Sequence, residues 1–377
     1  MKGRTSRAAK IAAHLRKYLL AYVLLTILVA LPIGHYGAEF FASHKSLVKN
    51  VILLLAIGTL LPSMIQLRAS ELGKELRAKP KEIALALVLA LIITPLLAML
   101  LADYMGHKVI GVGYVAANAV PASSASLAYV MIAEGNLELA TVLVLLSVVA
   151  SLVLAPVYVG VYAQTVNMNL PLPVLAKSVT IALLVPLLLG QAIRRYMVRR
   201  AARALLVSGN DRLRCREELQ AYLAGRPHIG DVLEKLEEAM ECVEERIIKS
   251  VKPLLSLWTL VFMLMLIFVL IASKAELLIE KPIIAAHIIV AQVTIYVAVI
   301  ALLIIASRAL KICYKDHMAI AFISLTKNQS VAAAMAVLAI GPTAALPAAL
   351  IPAIQPVIAV LYISAAPYIK KVLGETS

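Results

Sequence analysis

The sequence predicts an all-α integral membrane protein with about ten transmembrane helices. Hydrophobic residues make up 62% of the 377 residues, whereas a soluble domain is roughly 45–50% apolar. The apolar residues form unbroken runs long enough for the helix of about 20 residues that crosses a bilayer. These runs lack the alternation of a membrane β-barrel, and a backbone buried in lipid must pair its own hydrogen bonds. Each run is therefore predicted to be a helix.

The predicted spans cover, in chain order, residues 18–33, 46–67, 83–102, 109–133, 137–163, 174–193, 251–273, 282–306, 318–340 and 346–368. A basic tail precedes the first span, but no small-residue cleavage site follows it, so the span is predicted to be a retained helix and not a signal peptide. The spans suggest three parts: residues 1–193 with spans one to six, a connector at 194–250, and residues 251–377 with spans seven to ten.

The charge distribution predicts the topology. The net charge of +15 would suggest nucleic acid in a soluble protein, but here it follows the membrane. With the N-terminus inside, the connections on that side and the two tails hold 29 of the 36 Lys and Arg residues. The positive-inside rule therefore predicts cytoplasmic termini in a plasma (inner) membrane and no nucleic-acid partner. Cys215, Cys242 and Cys313 all fall on the predicted cytoplasmic side, which argues against disulfides.

Five spans lead outward and five lead back, so the second half is predicted to be inverted relative to the first. Inverted repeats are typical of secondary transporters, whose sites lie near the midplane between broken helices. The fourth span of each half carries its most polar interruption, and a proline in the first of them should unwind the helix. A harmless kink with close helix packing is the alternative. The candidate substrate or coupling residues are Asn118, Pro121, Ser123, Ser124 and Ser126 in span four, and Thr326, Lys327, Asn328, Gln329 and Ser330 in span nine.

Lys327 is the most informative of these residues. It lies near the centre of span nine, where a charge costs at least about 2.5–3.5 kcal/mol, and no Asp or Glu lies in the interior of any predicted span. Three arrangements would accommodate it: a neutral amine, an ammonium held by free carbonyls, or pairing with an anionic solute. A lysine that only ties broken helix ends together is the alternative. His287 and Gln292 are secondary candidates, although each is more often an interhelical hydrogen bond.

The connector contains the only sizeable segment outside the membrane. Residues 231–249 place an apolar stripe on one helical face, which predicts an amphipathic helix. It carries no metal-ligand spacing, phosphate loop or nucleophile constellation, and packing against the membrane domain or a partner subunit is the favoured role. We expect no cofactor, no metal and no enzymatic activity, because no catalytic pair lies at one depth. The stripe consists of Val232, Leu236, Met240, Val243 and Ile247.

A series of motifs follows in order through spans two to five. They are residues 61–68 and 79–81, the run Thr94, Pro95 and Leu96, then Pro121, Ser126, residues 133–136, Ser147, Ala155 and Pro156. In this order the sequence resembles the bile acid:sodium symporter family and its relatives, the arsenite exporters. The resemblance implies two inverted five-helix repeats, with a panel domain of spans one, two, six and seven. That panel faces a core domain whose helices four and nine are broken and cross, and the core moves to give alternating access.

The sequence departs from the family at the ion ligands. The resemblance implies sodium binding through an asparagine after the fourth-helix serine, a ninth-helix glutamate and a third-helix glutamine. Here the corresponding positions are Leu127, an apolar residue near 323–325, and Ala90. The arsenite exporters carry a cysteine just after the fourth-helix proline, where this chain has Ala122. Lys327 is therefore predicted to occupy the place of a bound cation.

We therefore expect a secondary transporter of a small organic anion or oxyanion, independent of sodium and coupled to protons through Lys327. An arsenite exporter, a cation/proton antiporter and a membrane receptor are the alternatives. An antiporter would need a carboxylate in mid-membrane, and a receptor would signal through the connector. Membrane lipid is the other expected partner. The solute, the direction of transport and the oligomeric state are left open.

Overall fold

The computed structural model describes residues 7, 10–15, 18–66, 78–123, 125–207 and 229–373, with the backbone alone at 199, 201–207, 229–247 and 249. Ser124, most of the predicted loop 68–82, and the middle of the connector with Cys215 lie outside the described residues. The apolar stripe of the connector falls where only the backbone is described.

The described chain is helical. In chain order they are α1 (Leu19–Tyr36), α2 (Ala38–Ser43), α3 (Lys45–Gln66), α4 (Pro80–Val88), α5 (Thr94–Ala102), α6 (Lys108–Ala119), α7 (Ser126–Ile132), α8 (Leu137–Thr165), α9 (Leu172–Val207), α10 (Ile229–Ala272), α11 (Ala275–Glu280), α12 (Ile283–Ala309), α13 (Tyr314–Leu325), α14 (Gln329–Ala339), α15 (Leu346–Ser364) and α16 (Ala366–Leu373). A π-helical turn, Leu89–Ile93, joins α4 to α5, and 3₁₀ turns cover Asp103–Met105 and Pro342–Ala345.

Eight stretches of helix among the described residues are long and apolar enough to cross a membrane. They correspond to the predicted spans one to three, five to eight and ten, which makes the protein a multi-pass, all-helical membrane protein. The other two predicted spans are divided. Span four consists of α6 and α7, and span nine consists of α13 and α14. No single helix continues through either of them.

The connector begins and ends inside long helices. Helix α9 continues from span six as far as Val207, and α10 runs without interruption from Ile229 to Ala272. The predicted amphipathic segment and span seven therefore belong to one helix of 44 residues, about 66 Å long at 1.5 Å per residue. Such a helix is longer than the hydrocarbon core of about 30 Å, so one end of α10 projects from the membrane.

Helices α1, α3, α9 and α10 pack together on one side of the molecule. Helix α3 contacts both α9 and α10, and α10 also contacts α1. Small residues allow the close approach: a Cβ added at Gly34 of α1 would lie 2.2 Å from the Ala272 carbonyl oxygen. The divided span nine faces this group, because α14 contacts α3 and α9. This places the second interruption between the four-helix group and the remaining helices.

Candidate functional site

The two interrupted spans meet at their unwound segments. Helix α6 ends at Ala119, and Val120 is extended, because Pro121 has no amide to continue the helical hydrogen bonds. Helix α13 ends at Leu325, and Thr326 is extended in the same way. The two extended segments then pair as a short antiparallel bridge between Ala122 and Lys327. We call the residues 120–123 and 326–328 the crossing.

Backbone hydrogen bonds hold the crossing together. The amide of Ser123 donates to the carbonyl of Thr326 at 2.9 Å, and the amide of Asn328 donates to the carbonyl of Pro121 at 2.9 Å. An unwound backbone in a membrane must find such partners within the protein, because no water is present to form hydrogen bonds with it. Each interruption therefore supplies the hydrogen bonds that the other lacks.

Two side chains satisfy the remaining amides of the bridge. The amide of Ala122 donates to Ser147 Oγ of α8 at 3.1 Å. The amide of Lys327 donates to Gln355 Oε1 of α15 at 3.3 Å. These acceptors come from the fifth and tenth predicted spans, the span that follows each interruption in its half of the chain. The crossing is thus completed in the same way from both sides.

Lys327 is buried in the crossing, with 2% of its surface exposed. Its Nζ donates to the backbone carbonyl of Ala90 in the π-helical turn. Within the described residues no carboxylate lies within ion-pair distance of this ammonium; the ion pairs found there join Lys79 to Asp316 and Lys370 to Glu134. An ammonium has three N–H donors, so two of them are not used by the described protein groups.

The carbonyl of Ala90 is available because of the local helix geometry. In the π-helical turn the amide of Thr94 donates to the carbonyl of Leu89, five residues back, and the Thr94 hydroxyl donates to the same oxygen at 2.7 Å. Pro95 has no N–H to donate. Neither backbone position that could donate to the Ala90 carbonyl does so, because the Thr94 amide donates to Leu89 and Pro95 has no N–H. The Lys327 side chain donates to this carbonyl instead.

Asn118 and Gln292 form a reciprocal amide pair next to the crossing. Asn118 Nδ2 donates to Gln292 Oε1 at 3.1 Å, and Gln292 Nε2 donates to Asn118 Oδ1 at 3.2 Å. Both side chains are almost fully buried. The pair joins α6 to α12, so in this conformation each amide is occupied by the other. Their pairing was not predicted from the sequence, although both residues were.

The other predicted site residues differ in which of their side-chain polar groups form hydrogen bonds. Ser126 Oγ donates to the Ser123 carbonyl at 2.5 Å, and Thr326 Oγ1 donates to the Phe322 carbonyl at 2.6 Å. Asn328 caps α14. Gln329 Nε2 donates to the Ala117 carbonyl at 3.2 Å, whereas its Oε1 is buried without a hydrogen-bond partner among the described residues. The secondary candidate His287 lies away from these bonds on α12, and its Nδ1 is likewise unpaired.

Ser324 was not among the predicted site residues. The resemblance suggested an apolar residue near 323–325 in place of the family glutamate, but a serine lies there, only three positions before Lys327. It is 2% exposed, and its Oγ has no hydrogen-bond partner in the described part of the chain. A short polar residue in an apolar helix, one turn before a break, is the signal that would have identified it.

A polar network fastens the end of span nine that is predicted to be cytoplasmic. Asp316 accepts from Lys79 Nζ at 2.5 Å, from Asn136 Nδ2 at 2.8 Å and from the Cys313 thiol at 3.3 Å. Burial raises the pKa of that thiol, and a protonated thiol is a poor ligand for a thiophilic metalloid. Tyr314 OH donates to the Ala133 carbonyl at 2.8 Å. The turn 133–136 is thus tied to the start of α13.

Residues 51–210 match the model of the Sodium Bile acid symporter family. The resemblance to the bile acid:sodium symporter family is confirmed. No curated protein sequence matches the chain. The matched range contains the π-helical turn, Pro121 and the turn at 133–136, whereas Lys327 lies beyond it. Members of the bile acid:sodium symporter family are transporters, so the match indicates a membrane transporter of that type.

No group of three or more His, Cys, Asp or Glu residues that could hold a metal ion occurs in the part of the chain that the structure describes. At the positions where the family resemblance implies sodium ligands, the chain offers the Ala90 carbonyl, Ser324 and the partly buried Leu127. The Ala90 carbonyl accepts a hydrogen bond from Lys327 Nζ.

Proposed function

We propose that the protein is a secondary transporter of a small anionic solute, with the Lys327 ammonium in place of the sodium ion used by its family. In this proposal ten spans form two inverted repeats with cytoplasmic termini. The core, which carries the crossing, moves against the group formed by α1, α3, α9 and α10. Lys327 also exchanges a proton during the cycle, which couples transport to the proton gradient.

The observation that carries the proposal is that Lys327 is buried with no carboxylate partner among the described residues. A buried ammonium is costly unless it is paired and hydrogen-bonded, and within the described part of the chain Lys327 Nζ has a single acceptor, the neutral carbonyl of Ala90. A carboxylate or oxyanion would supply the missing charge and accept the two remaining N–H donors. The site is therefore better suited to an anion than to a cation, which would be repelled by the ammonium.

Other donors around the crossing support the same choice. Helix α14 begins at Gln329, and the first amides of a helix attract negative charge. Ser330 lies in this first turn and is buried. The unpaired hydroxyl of Ser324 lies one turn before Lys327 on the other side of the break. An anion at the crossing would thus meet donors from both halves of span nine.

The test uses purified protein and three probes: taurocholate as a bile acid, succinate as a small carboxylate, and arsenite. We expect an anionic probe to raise the melting temperature and to enter proteoliposomes in choline buffer as fast as in sodium buffer. Lys327→Met should weaken binding by about tenfold or more, because a hydrogen bond to a charged group is worth about 1.5–3 kcal/mol. Flux should respond to an imposed pH gradient in the parent protein and not in Lys327→Met.

The matched control is Lys177→Met. Lys177 also lies within a predicted span, but it is exposed on α9 and should be dispensable. Strict dependence of flux on sodium would overturn the proposal. Equal loss of binding in both lysine variants would also overturn it, because the effect would then be one of total charge. A response to arsenite alone, unchanged by Lys327→Met, would favour the arsenite alternative.

A further inference from the structure

The π-helical turn before Pro95 has a clear cause in the sequence. A proline inside a helix cannot donate a hydrogen bond, and its ring collides with the carbonyl four residues back. A π turn relieves this crowding by moving the hydrogen bonds to the fifth residue back, and such turns are common at functional sites. Here the shift is visible as the Thr94 amide donating to Leu89. Pro95 is the second residue of the α-helical segment α5, which follows.

The consequence for Ala90 follows from counting the amides. In an α-helix its carbonyl would accept from Thr94, and in a continued π-helix it would accept from residue 95. Thr94 already donates to Leu89, and Pro95 has no N–H. The carbonyl is 0% exposed with the rest of its residue, so it cannot turn to water. A buried carbonyl without a donor is costly, and the Lys327 ammonium is the donor that reaches it.

We propose that Pro95 is a positioning residue for Lys327. Because Pro95 has no backbone N–H, the Ala90 carbonyl stays free to accept a hydrogen bond from the Lys327 ammonium, and this bond holds the ammonium in the crossing. This inference deepens the proposed role of Lys327 and rests on it. Replacing Pro95 by alanine restores an N–H. In the α register Thr94 would then donate to Ala90, and in the π register the new amide would do so. In either case a backbone N–H would compete with the Lys327 ammonium for the Ala90 carbonyl.

The first test is a double-mutant cycle read by melting temperature in detergent. In the Lys327→Met background the Ala90 carbonyl has no donor, so Pro95→Ala should raise the melting temperature. In the parent background the same change should lower it or leave it unchanged. The two effects should differ by about 2–6 °C, the range expected for residues that share a partner. A merely structural proline would give the same shift in both backgrounds.

The second readout is the rate at which a membrane-permeant amine reagent modifies Lys327, measured by peptide mass spectrometry. The rate should increase about tenfold in Pro95→Ala, because one hydrogen bond to a charged group is lost. Exposed Lys177 in the same sample is the internal reference. Pro32→Ala is the control variant, because Pro32 also lies inside a membrane helix, α1, but on its exposed surface.

The outcomes separate this inference from the proposed function. The inference would be overturned if the melting-temperature changes of Pro95→Ala and Lys327→Met were additive and the modification rate of Lys327 were unchanged. If Pro95→Ala fails to fold, the cycle still decides: recovery of folding by Lys327→Met supports the inference, and failure of both variants refutes it. Neither readout measures transport. If flux depended on sodium while the double-mutant cycle showed non-additive melting temperatures, the transport proposal would be wrong, but Pro95 would still be the residue that positions Lys327.

Discussion

The amide of Ala122 offers the sharpest test of how the crossing is stabilised. It is buried, and its acceptor is the hydroxyl of Ser147 at 3.1 Å; that hydroxyl donates in turn to the Val144 carbonyl. Ser147→Ala removes the acceptor and leaves a buried N–H unpaired, at a cost of about 1–3 kcal/mol. At roughly 2 °C per kcal/mol for a long chain, the melting temperature should fall by about 2–6 °C.

The companion change at the other side of the bridge should cost less. Gln355 accepts from the Lys327 amide at 3.3 Å and is only partly buried, so we expect Gln355→Leu to have a smaller effect than Ser147→Ala. Both would be measured by fluorescence-monitored melting in detergent. The control is Thr141→Val on the same helix α8, where an exposed hydroxyl donates only to its own helix. If Ser147→Ala melts no lower than Thr141→Val, the side-chain acceptor does not stabilise the crossing.

Two further predictions concern the surroundings of the crossing. Gly113→Ala should destabilise the protein by about 2 kcal/mol or more, because the new Cβ would lie 1.8 Å from the Ala344 carbonyl oxygen. Gly160→Ala should be neutral or slightly stabilising, because its Cβ would meet two leucine methyls at the ordinary contact distances of 3.4 and 3.6 Å. Equal melting of these two variants would show that α6 is free to move away from the 3₁₀ turn. Asn118→Leu should lower the melting temperature by leaving the Gln292 amide unpaired, and the double variant Asn118→Leu/Gln292→Leu should cost less than the sum of the single ones. Additive costs, or a selective loss of anion binding in the double variant, would instead indicate that these amides contact the solute.

Hydropathy alone predicted where the helices lie, because a lipid-buried backbone leaves little choice of structure. The positions of the two breaks were also predictable in outline. Pro121 cannot continue the hydrogen bonds of a helix. An ionisable residue such as Lys327 is costly in a plain apolar span, so its position indicated a polar interruption. The eight membrane-crossing stretches of helix in the described chain match eight of the predicted spans.

Free carbonyls were one of the three predicted arrangements for Lys327, but which carbonyl accepts from it could not be predicted. Alanine carries no sign that its carbonyl is free; that depends on the π-helical turn and on Pro95. Long-range side-chain pairs were missed for a related reason. Asn118 and Gln292, or Asn136 and Asp316, can be recognised one by one as polar, but their pairing depends on how α6 meets α12 and how the turn 133–136 meets α13.

The bridge at the crossing also constrains how the protein is made. The Ser123 amide donates to the Thr326 carbonyl and the Asn328 amide to the Pro121 carbonyl, so the fourth span has no finished backbone until the ninth has been synthesised. At roughly 5–20 residues per second, the ribosome needs about 10–40 s to cover that distance. During this interval the half-built membrane domain carries unpaired amides and carbonyls that lipid cannot accept. A chain truncated before α13 should therefore be a substrate for membrane quality control, however well its first five spans insert.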